Sequence, residues 1–296
     1  MTKKTKPKGN SKGIKIPKIN NKIVLTIATF ILGFGSSCVI REIPTLEAKN
    51  NTAILEDEYS FADDQQSFPK GLPIIYRSCY SLNYDCRTKN ANWVYERITA
   101  ENLKGDVDRE NFKFKEDPSI PQIFRSTLKD YQGSGFDRGH LAPAANHKNS
   151  ADAMGDTFYL SNMSPQNPQF NRGYWSKFEK HVRDLTKYYL VVESFTGPLY
   201  LPHEDENGNK WVKYRVIGKN DVAVPTHFYK VLFLENSSGR KDIEAYILPN
   251  ATIDAETPLN KFQTTLQKIE KASGVIFTYS NMCVKVPCIA KSSQNF

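Results

Sequence analysis

Histidine and cysteine are both scarce in this chain, with five of each among 296 residues. The cysteines form neither a pair of CxxC motifs nor a CxxC with an HxxxH partner, so we do not expect a zinc site. Four of them lie beyond the first 41 residues: Cys79, Cys86, Cys283 and Cys288. These four can form two disulfides or remain free thiols, and the sequence leaves both alternatives open.

Acidic residues are absent from the first 41 positions, which hold nine of the 40 lysines and arginines. The remaining positions carry 31 basic and 32 acidic side chains, so the formal net charge of +8 belongs to the N-terminal leader. The whole chain is 39% hydrophobic and 24% charged. That composition excludes a mainly disordered, collagen-like or multi-span membrane protein. Any affinity for nucleic acid must therefore come from local groups.

One uncharged apolar run is present in the leader, at residues 23–40. Because it follows a lysine-rich stretch, it is either a cleavable secretory signal or a membrane anchor whose lysines stay on the cytoplasmic or matrix side. Both alternatives export the rest of the chain from its site of synthesis. Residues 42–70 are polar and acidic and are predicted to be a linker. Residues 71–290 are then left as one domain.

The pattern from residue 72 onward predicts an α+β fold with a mixed or antiparallel sheet and flanking helices. β-Branched and aromatic residues at 74–84 and 91–99 predict a hairpin. Further strands are predicted at 189–195, 211–217, 227–234 and 243–248. The polar stretch 103–136 has few strand signals, and a loop of that length is usually functional or disordered.

Two helices have clear signatures. The later one is predicted to begin at Pro258, with Thr257 as its cap and Gly274 at its end. The earlier one is predicted to run from Asn171 to about Lys187. Its apolar stripe consists of Trp175, Phe178, Val182 and Leu185.

His140 is a candidate general base. It ends the segment FDRGH, in which an apolar residue leads into a tight charged turn, and Leu-Ala-Pro follows. A neutral imidazole at a strand end can take a proton from water near physiological pH, because its ordinary pKa is near 6.5. A histidine beside an aspartate can also be a hydrogen-bonding residue without a chemical role.

Asn171 and Glu179 are candidate residues of a metal site. At 100° per residue, Asn171 projects along the centre of the apolar stripe and Glu179 lies about 80° to one side. A carboxamide and a carboxylate on a packed side each need a partner, and a hydrated divalent cation would satisfy both. The alternative is that Asn171 caps the helix and Glu179 pairs with a neighbouring lysine.

The order of these motifs resembles one nuclease family. Three features are similar to the signature region of the DNA/RNA non-specific endonucleases, and within them to the endonuclease G-like branch. They are DRGH at 137–140 with the following LAPAANH, DTFYLSNMSPQ at 156–166, and the spacing of Asn171, Trp175 and Glu179. The similarity covers about residues 70–280. It implies a ββα-metal (His-Me finger) catalytic core that hydrolyses phosphodiester bonds in DNA and RNA and leaves 5′-phosphate ends.

The resemblance also implies a role for each site residue. His140 would be the general base, and Asn171 would be the single direct protein ligand of Mg²⁺, with Mn²⁺ as an alternative. Glu179 would hold metal-bound water, Asn162 would help to shape the site, and Arg138 would contact phosphate or fix the turn. A basic residue of the upstream loop would neutralise the phosphate. The candidates for it are Arg109, Lys113 and Lys115.

Partners and location follow from the same resemblance. We expect DNA and RNA as substrates, a homodimer, and a mitochondrial location in the intermembrane space or at the inner membrane, with anchoring through residues 23–40. The lysine-rich leader leaves the secretory route as an alternative. Two rival functions remain: a protein of this fold that binds nucleic acid or a membrane without cleavage, and a phosphodiesterase for a smaller substrate.

Overall fold

The computed structural model describes residues 71–278. The leader (1–41) with its apolar run at 23–40, the linker (42–70), Cys283, Cys288 and the predicted domain end at 290 lie outside the described residues. In the range 71–278, no helix has both the length and the apolar character needed to cross a membrane. The two cysteines of this range, Cys79 and Cys86, are free thiols.

Strands dominate the described part of the chain. They are β1 (Ile75–Tyr76), β2 (Tyr80–Asp85), β3 (Asn90–Ile98), β4 (Asp137–His140), β5 (Met163–Gln166), β6 (Val191–Leu199), β7 (His203–Glu204), β8 (Lys210–Trp211), β9 (Val216–Ile217), β10 (Val222–Ala223), β11 (His227–Glu235) and β12 (Lys241–Pro249). The α-helices are α1 (Leu128–Tyr131), α2 (Ala151–Asp156), α3 (Ser176–Asp184) and α4 (Leu266–Ser273).

Six strands form one antiparallel sheet in the order β1-β2-β3-β6-β11-β12. The other strands pair two by two, as β4–β5, β7–β8 and β9–β10. Helices lie against this antiparallel sheet, so the predicted α+β fold is confirmed. The predicted hairpin is β2–β3, and the strands predicted at 189–195, 227–234 and 243–248 are β6, β11 and β12.

Strand β11 is buried on both faces of the sheet. Because side chains alternate along a strand, Phe228 and Leu232 join the core on the α3 side, whereas Tyr229 and Val231 join the core on the α4 side. Lys230 shares the α3 side with Phe228 and is 1% exposed. A charged side chain is thus enclosed between the sheet and α3.

The predicted stripe of the Asn171 helix forms its contact with the sheet. A π-helical turn (Phe170–Trp175) precedes α3, and a short 3-10 turn (Leu185–Lys187) ends the helix. Trp175 and Phe178 are completely buried, and the Trp175 ring lies 5.6 Å from that of Phe228. This packing fixes the position of every polar residue on the same helix.

Two predicted elements differ in the structure. The strand predicted at 211–217 is reduced to the short strands β8 and β9, because the residues between them have no neighbouring strand and are exposed. The helix predicted from Pro258 is interrupted after the 3-10 turn Leu259–Phe262. After this turn the backbone pairs with the edge of the sheet, where the Thr264 N–H donates to the Ala245 carbonyl at 2.8 Å. Thr265 caps α4, which ends at Gly274 as predicted.

The polar stretch 103–136 is folded around a buried carboxylate. Asp117 is 2% exposed and accepts hydrogen bonds from the guanidinium of Arg77 at 2.5 Å, from the backbone N–H and hydroxyl of Ser119, and from the hydroxyl of Ser161. Burial alone would raise the pKa of Asp117, but these donors and the Arg77 charge hold it below its usual value. The loop is therefore tied both to the end of β1 and to the segment before β5.

Replacement of Asp117 by alanine should lower the free energy of unfolding by about 3–5 kcal/mol, because it leaves the Arg77 guanidinium without its partner. Denaturant-induced unfolding measures this quantity. Asp254→Ala is the matched control, since Asp254 is exposed and its carboxylate accepts one hydrogen bond, from the Glu256 N–H. Equal losses in the two variants would contradict a central role for Asp117.

Candidate active site

A cavity of about 720 Å³ lies between the β4 strand, the α1 turn and the helical segment that begins at Pro168 and continues into α3. Five of the eight residues predicted for the site line it: Arg109, Arg138, His140, Asn171 and Glu179. The other three, Asn162, Lys113 and Lys115, do not line it. The fold thus brings the candidate base and the candidate metal-site residues to one cavity.

His140 lies at the end of β4 with aromatic rings around it. Its ring centroid is 5.6 Å from Phe114 and 5.4 Å from Phe158, whose ring it meets edge-on. Burial, with smaller contributions from the positive charges of Arg109 and His147, lowers the pKa of His140 to about 3. Its Nε2 atom is buried without a hydrogen-bond partner. The imidazole is therefore neutral at physiological pH, as a general base must be.

Gly139 allows β4 to lie directly against a buried side chain of β5. A Cβ atom at this position would be 2.1 Å from the side-chain carbon Cδ of Gln166, which is fully buried. Gly139 pairs with Ser164 in the β4–β5 ladder, and His140 with Met163. The glycine before His140 is thus required by packing, and that packing fixes the place of the imidazole.

Asn171 is oriented by a residue of the strand that carries His140. Its Nδ2 donates to Oδ2 of Asp137 at 2.9 Å, and Arg172 makes a two-pronged ion pair with the same carboxylate. Since the amide nitrogen is held, Oδ1 is left without a protein partner among the described residues. Asn171 does not cap the helix. That role belongs to Asn167, whose Oδ1 accepts from the Phe170 N–H at 3.1 Å.

Glu179 lines the cavity two helical turns after Asn171. Burial raises the pKa of this carboxyl to about 7, although the nearby charges of Lys230 and Arg183 lower it. No lysine or arginine of residues 71–278 lies within 4 Å of the carboxylate, so the alternative of a simple surface ion pair is not observed. Glu179 is therefore available to a group bound in the cavity.

A set of buried charges lies behind Glu179. Glu96, 1% exposed, accepts hydrogen bonds from Asn146 and His147, both at 3.0 Å. Burial would lower the pKa of His147, but Cys79 and Glu96 raise it to about 9. Lys230 donates to Thr196 at 2.5 Å. His147 is thus a charged structural residue and, unlike His140, is not suited to act as a base at neutral pH.

Asn162 and Arg138 support the site in different ways. Asn162 is completely buried, and both ends of its amide bond to the backbone of Ala142 at 2.9 Å, with a further bond to the Thr157 carbonyl. It shapes the chain after His140 and has no polar atom left for a substrate. Arg138 lines the cavity, with its guanidinium 4.4 Å from the centre of the Phe114 ring.

The upstream loop presents one of its three basic candidates to the cavity. Arg109 lines it and contributes to the lowered pKa of His140. The Lys115 backbone bonds to Phe158 and Leu160, which makes the loop extended there. Because side chains alternate in extended backbone, Phe114 faces the cavity while Lys113 and Lys115 do not. Lys115 instead lies over the Tyr159 ring at 4.1 Å.

Three cavity cations were not identified from the sequence: Lys129, Arg172 and Arg183. Arg183 was detectable, since it follows Glu179 by four residues and so lies on the same helix face. It donates to Asn146 Oδ1 at 3.3 Å. Arg172 and Lys129 gave no signal, because their positions depend on how Asp137 and the α1 turn are placed in the fold.

Comparisons with known proteins agree on one family. The model of the DNA/RNA non-specific endonuclease family matches residues 63–285. Human mitochondrial endonuclease G is 51% identical over 201 residues, which cover 68% of this chain and 68% of that protein. Nuclease C1 from Cunninghamella echinulata var. echinulata is 48% identical over 229 residues, covering 74% and 90% of the two chains.

A solved structure supports the same relationship. A chain from the crystal structure of an EndoG/EndoGI complex superposes with a TM-score of 0.69 at 46% identity, covering 71% of this chain and 87% of its own length. The range matched by the family model, residues 63–285, includes every strand of the six-stranded sheet and every residue that lines the cavity.

Gly139→Ala should lower the free energy of unfolding by about 1–3 kcal/mol, the range typical of overpacking, because the added methyl group overlaps Gln166. Thermal and denaturant unfolding measure the loss. Gly173→Ala is the matched control on the neighbouring helix, where nothing lies within 4 Å of an added Cβ. That variant should be neutral or more stable by up to about 1 kcal/mol. A Gly139→Ala protein as stable as the control would refute the packing argument.

Proposed function

Because the chain belongs to the DNA/RNA non-specific endonuclease family, we propose that it is a Mg²⁺-dependent endonuclease that cleaves DNA and RNA and leaves 5′-phosphate ends. Membership of the family makes it an enzyme of the phosphodiester hydrolase class. The metal, the one-metal mechanism and the polarity of the products are the parts that we propose.

One observation carries this proposal: a neutral imidazole and an oriented amide oxygen line the same cavity. The fully buried Trp175 and Phe178 hold the helix, Asp137 orients Asn171, and the close contact of Gly139 with Gln166 places His140. Groups held in this way need little rearrangement when a substrate binds, which is the main requirement of phosphoryl chemistry.

The donor set suits Mg²⁺, with Mn²⁺ as the alternative. Asn171 offers one neutral oxygen, and the described part of the chain contains no group of three or more His, Cys, Asp or Glu side chains able to hold a metal. A site with few protein ligands leaves most of the coordination to water, as Mg²⁺ prefers. When bound there, the ion would polarise and neutralise the scissile phosphate. Glu179 would accept hydrogen bonds from the surrounding water.

The remaining roles belong to side chains of the cavity wall. In the proposed mechanism His140 takes the proton from the attacking water. Arg109, which lies near His140, neutralises charge on the phosphate, and Arg138 binds an adjacent phosphate oxygen. Arg183, beside Glu179 in the same wall, can also approach the phosphate. Lys113 and Lys115 are left with at most distant contacts to the strand.

We further propose a mitochondrial location, supported by relatives named as mitochondrial endonuclease G and mitochondrial nuclease EXOG. The intermembrane space and the inner membrane are the compartments that we favour, and secretion is the alternative. A homodimer and anchoring through residues 23–40 are proposals of the same kind, made from the family resemblance.

His140→Ala should reduce nicking of supercoiled plasmid by at least about 100-fold, since a general base contributes roughly 10²–10⁴ to a rate. EDTA should abolish wild-type nicking, and added Mg²⁺ should restore it. His203→Ala is the matched control, because His203 is exposed in β7 and does not line the cavity. The unfolding transition of each variant checks that the fold is kept.

Nicking by a folded His140→Ala protein at the wild-type rate would exclude His140 as the base. Wild-type protein that binds plasmid with Mg²⁺ but never cleaves it would favour the rival binding function. Cleavage of bis-p-nitrophenyl phosphate without cleavage of DNA or RNA would favour the phosphodiesterase for small substrates.

The acid limb of the pH profile should be set by Glu179 and not by His140. His140, with a pKa of about 3, stays neutral as the pH falls, whereas Glu179, with a pKa of about 7, loses its charge. Activity should therefore decline as the pH falls through about 7. The residual activity of Glu179→Gln should lack this limb. A limb at the same pH in that variant would assign it to another group.

A further inference from the structure

The α1 turn forms one wall of the cavity and carries Lys129, which has no role in the mechanism proposed above. Leu128, Lys129 and Tyr131 of this turn line the cavity together with His140 and Asn171. Lys129 is exposed. Among residues 71–278 its ammonium group has neither an ion-pair partner nor a hydrogen-bond partner.

Lys129 differs in this respect from the other cations of the cavity. Arg172 is paired with Asp137, and Arg183 donates to Asn146. Arg138 lies over the Phe114 ring. Each of these three groups already has a contact within the protein. The exposed Lys129 ammonium has no such contact among residues 71–278, so it remains available to an anion.

The α1 turn is held in place by the residue that follows Lys129. A helix of four residues is not stable alone, and Asp130 accepts the hydrogen bonds that hold this turn in place. Asp130 is 2% exposed and accepts from the Thr127 N–H at 2.7 Å, the Thr127 hydroxyl at 2.8 Å and Asn220 Nδ2 at 2.8 Å. Gly218, with φ of 69°, approaches so closely that a Cβ there would be 2.1 Å from Oδ1 of Asp130.

We propose that Lys129 is a substrate-binding residue that contacts a phosphate of the bound nucleic acid other than the scissile one, and that Asn220 is a positioning residue that acts through Asp130. The proposal rests on the endonuclease function proposed above. Arg109 is the cavity cation whose charge lowers the pKa of His140, and the charge of Lys129 does not contribute to that shift, which places Lys129 farther from the reacting phosphate. The cavity, at about 720 Å³, has room for more than one phosphate group.

This assignment predicts a contact that depends on the phosphate charge and not on the base sequence. A lysine ammonium is a point charge that binds phosphate oxygens and carries no base information. Its removal should weaken DNA and RNA binding alike. It should also lower the salt dependence of binding by about one counterion, since each neutralised phosphate releases about one.

The test compares Lys129→Gln with Lys129→Arg and with Lys268→Gln. Lys268 is an exposed lysine of α4, which packs on the opposite face of the sheet. Lys129→Gln should raise KM several-fold for both DNA and RNA at an unchanged kcat, and should reduce the slope of log KM against log salt by about one. Lys129→Arg should restore both quantities, and Lys268→Gln should change neither.

Asn220→Ala tests the positioning role, since it removes the Nδ2 donor to Asp130 and leaves the Thr127 bonds in place. It should raise KM at an unchanged kcat, with no further increase in the double variant Lys129→Gln/Asn220→Ala. A purely structural role would lower the unfolding temperature without this change in KM, and additive effects would also refute it.

The outcomes separate this inference from the endonuclease function. An active Lys129→Gln enzyme with wild-type KM and salt slope would overturn the role of Lys129 and leave the endonuclease function intact. A wild-type protein that cleaves neither nucleic acid would instead refute the endonuclease function itself.

Discussion

The ion pair and hydrogen bond accepted by Asp137 join the two halves of the cavity. Asp137 begins the strand that ends at His140, and its carboxylate accepts from Asn171 and Arg172 on the facing helix. Burial would raise its pKa, but the Arg172 and Asn171 bonds hold it below the usual value, so the carboxylate is charged at neutral pH. The Asp137 carboxylate thereby sets the distance between the strand and the helix. By binding Nδ2 of Asn171, it also directs Oδ1 of Asn171 away from Asp137.

The helix side of the cavity depends on charges that are buried with their partners. Glu96 and Glu179 are acidic, while His147, Lys230 and Arg183 are basic, and their fields act on one another. Isolated, each would be costly to bury. Their balance lets the helix keep a half-buried carboxylate beside the cavity without a direct ion pair. Burial lowers the pKa of Lys230 although both glutamates raise it.

Local patterns were enough to predict the long strands and the Asn171 helix, because the apolar residues that form each pattern are the same residues that pack in the core. Val231 and Leu232 alternate between two cores, and Trp175 and Phe178 follow the helical repeat. The break at Thr264 could not be predicted, since its cause is the carbonyl of Ala245 in β12, which meets Thr264 only in the folded protein. Arg109 could not be separated from Lys113 and Lys115 for a similar reason: the answer depends on how the loop pairs with Phe158 and Leu160.

Under the proposed function, the side chains of the cavity wall explain why cleavage would not depend on base sequence. Five cations line it, accompanied by the rings of Phe114 and Phe136: Arg109, Lys129, Arg138, Arg172 and Arg183. Cations of this kind bind phosphates, which are the same in every sequence and in both nucleic acids, whereas discrimination requires groups that contact base edges or the 2′-hydroxyl. In the proposed mechanism His140 and Asn171 act at the reacting phosphate, so the side chains that are held most precisely act on the bond to be broken. A lack of sequence preference is then the expected result of where the rigid contacts lie.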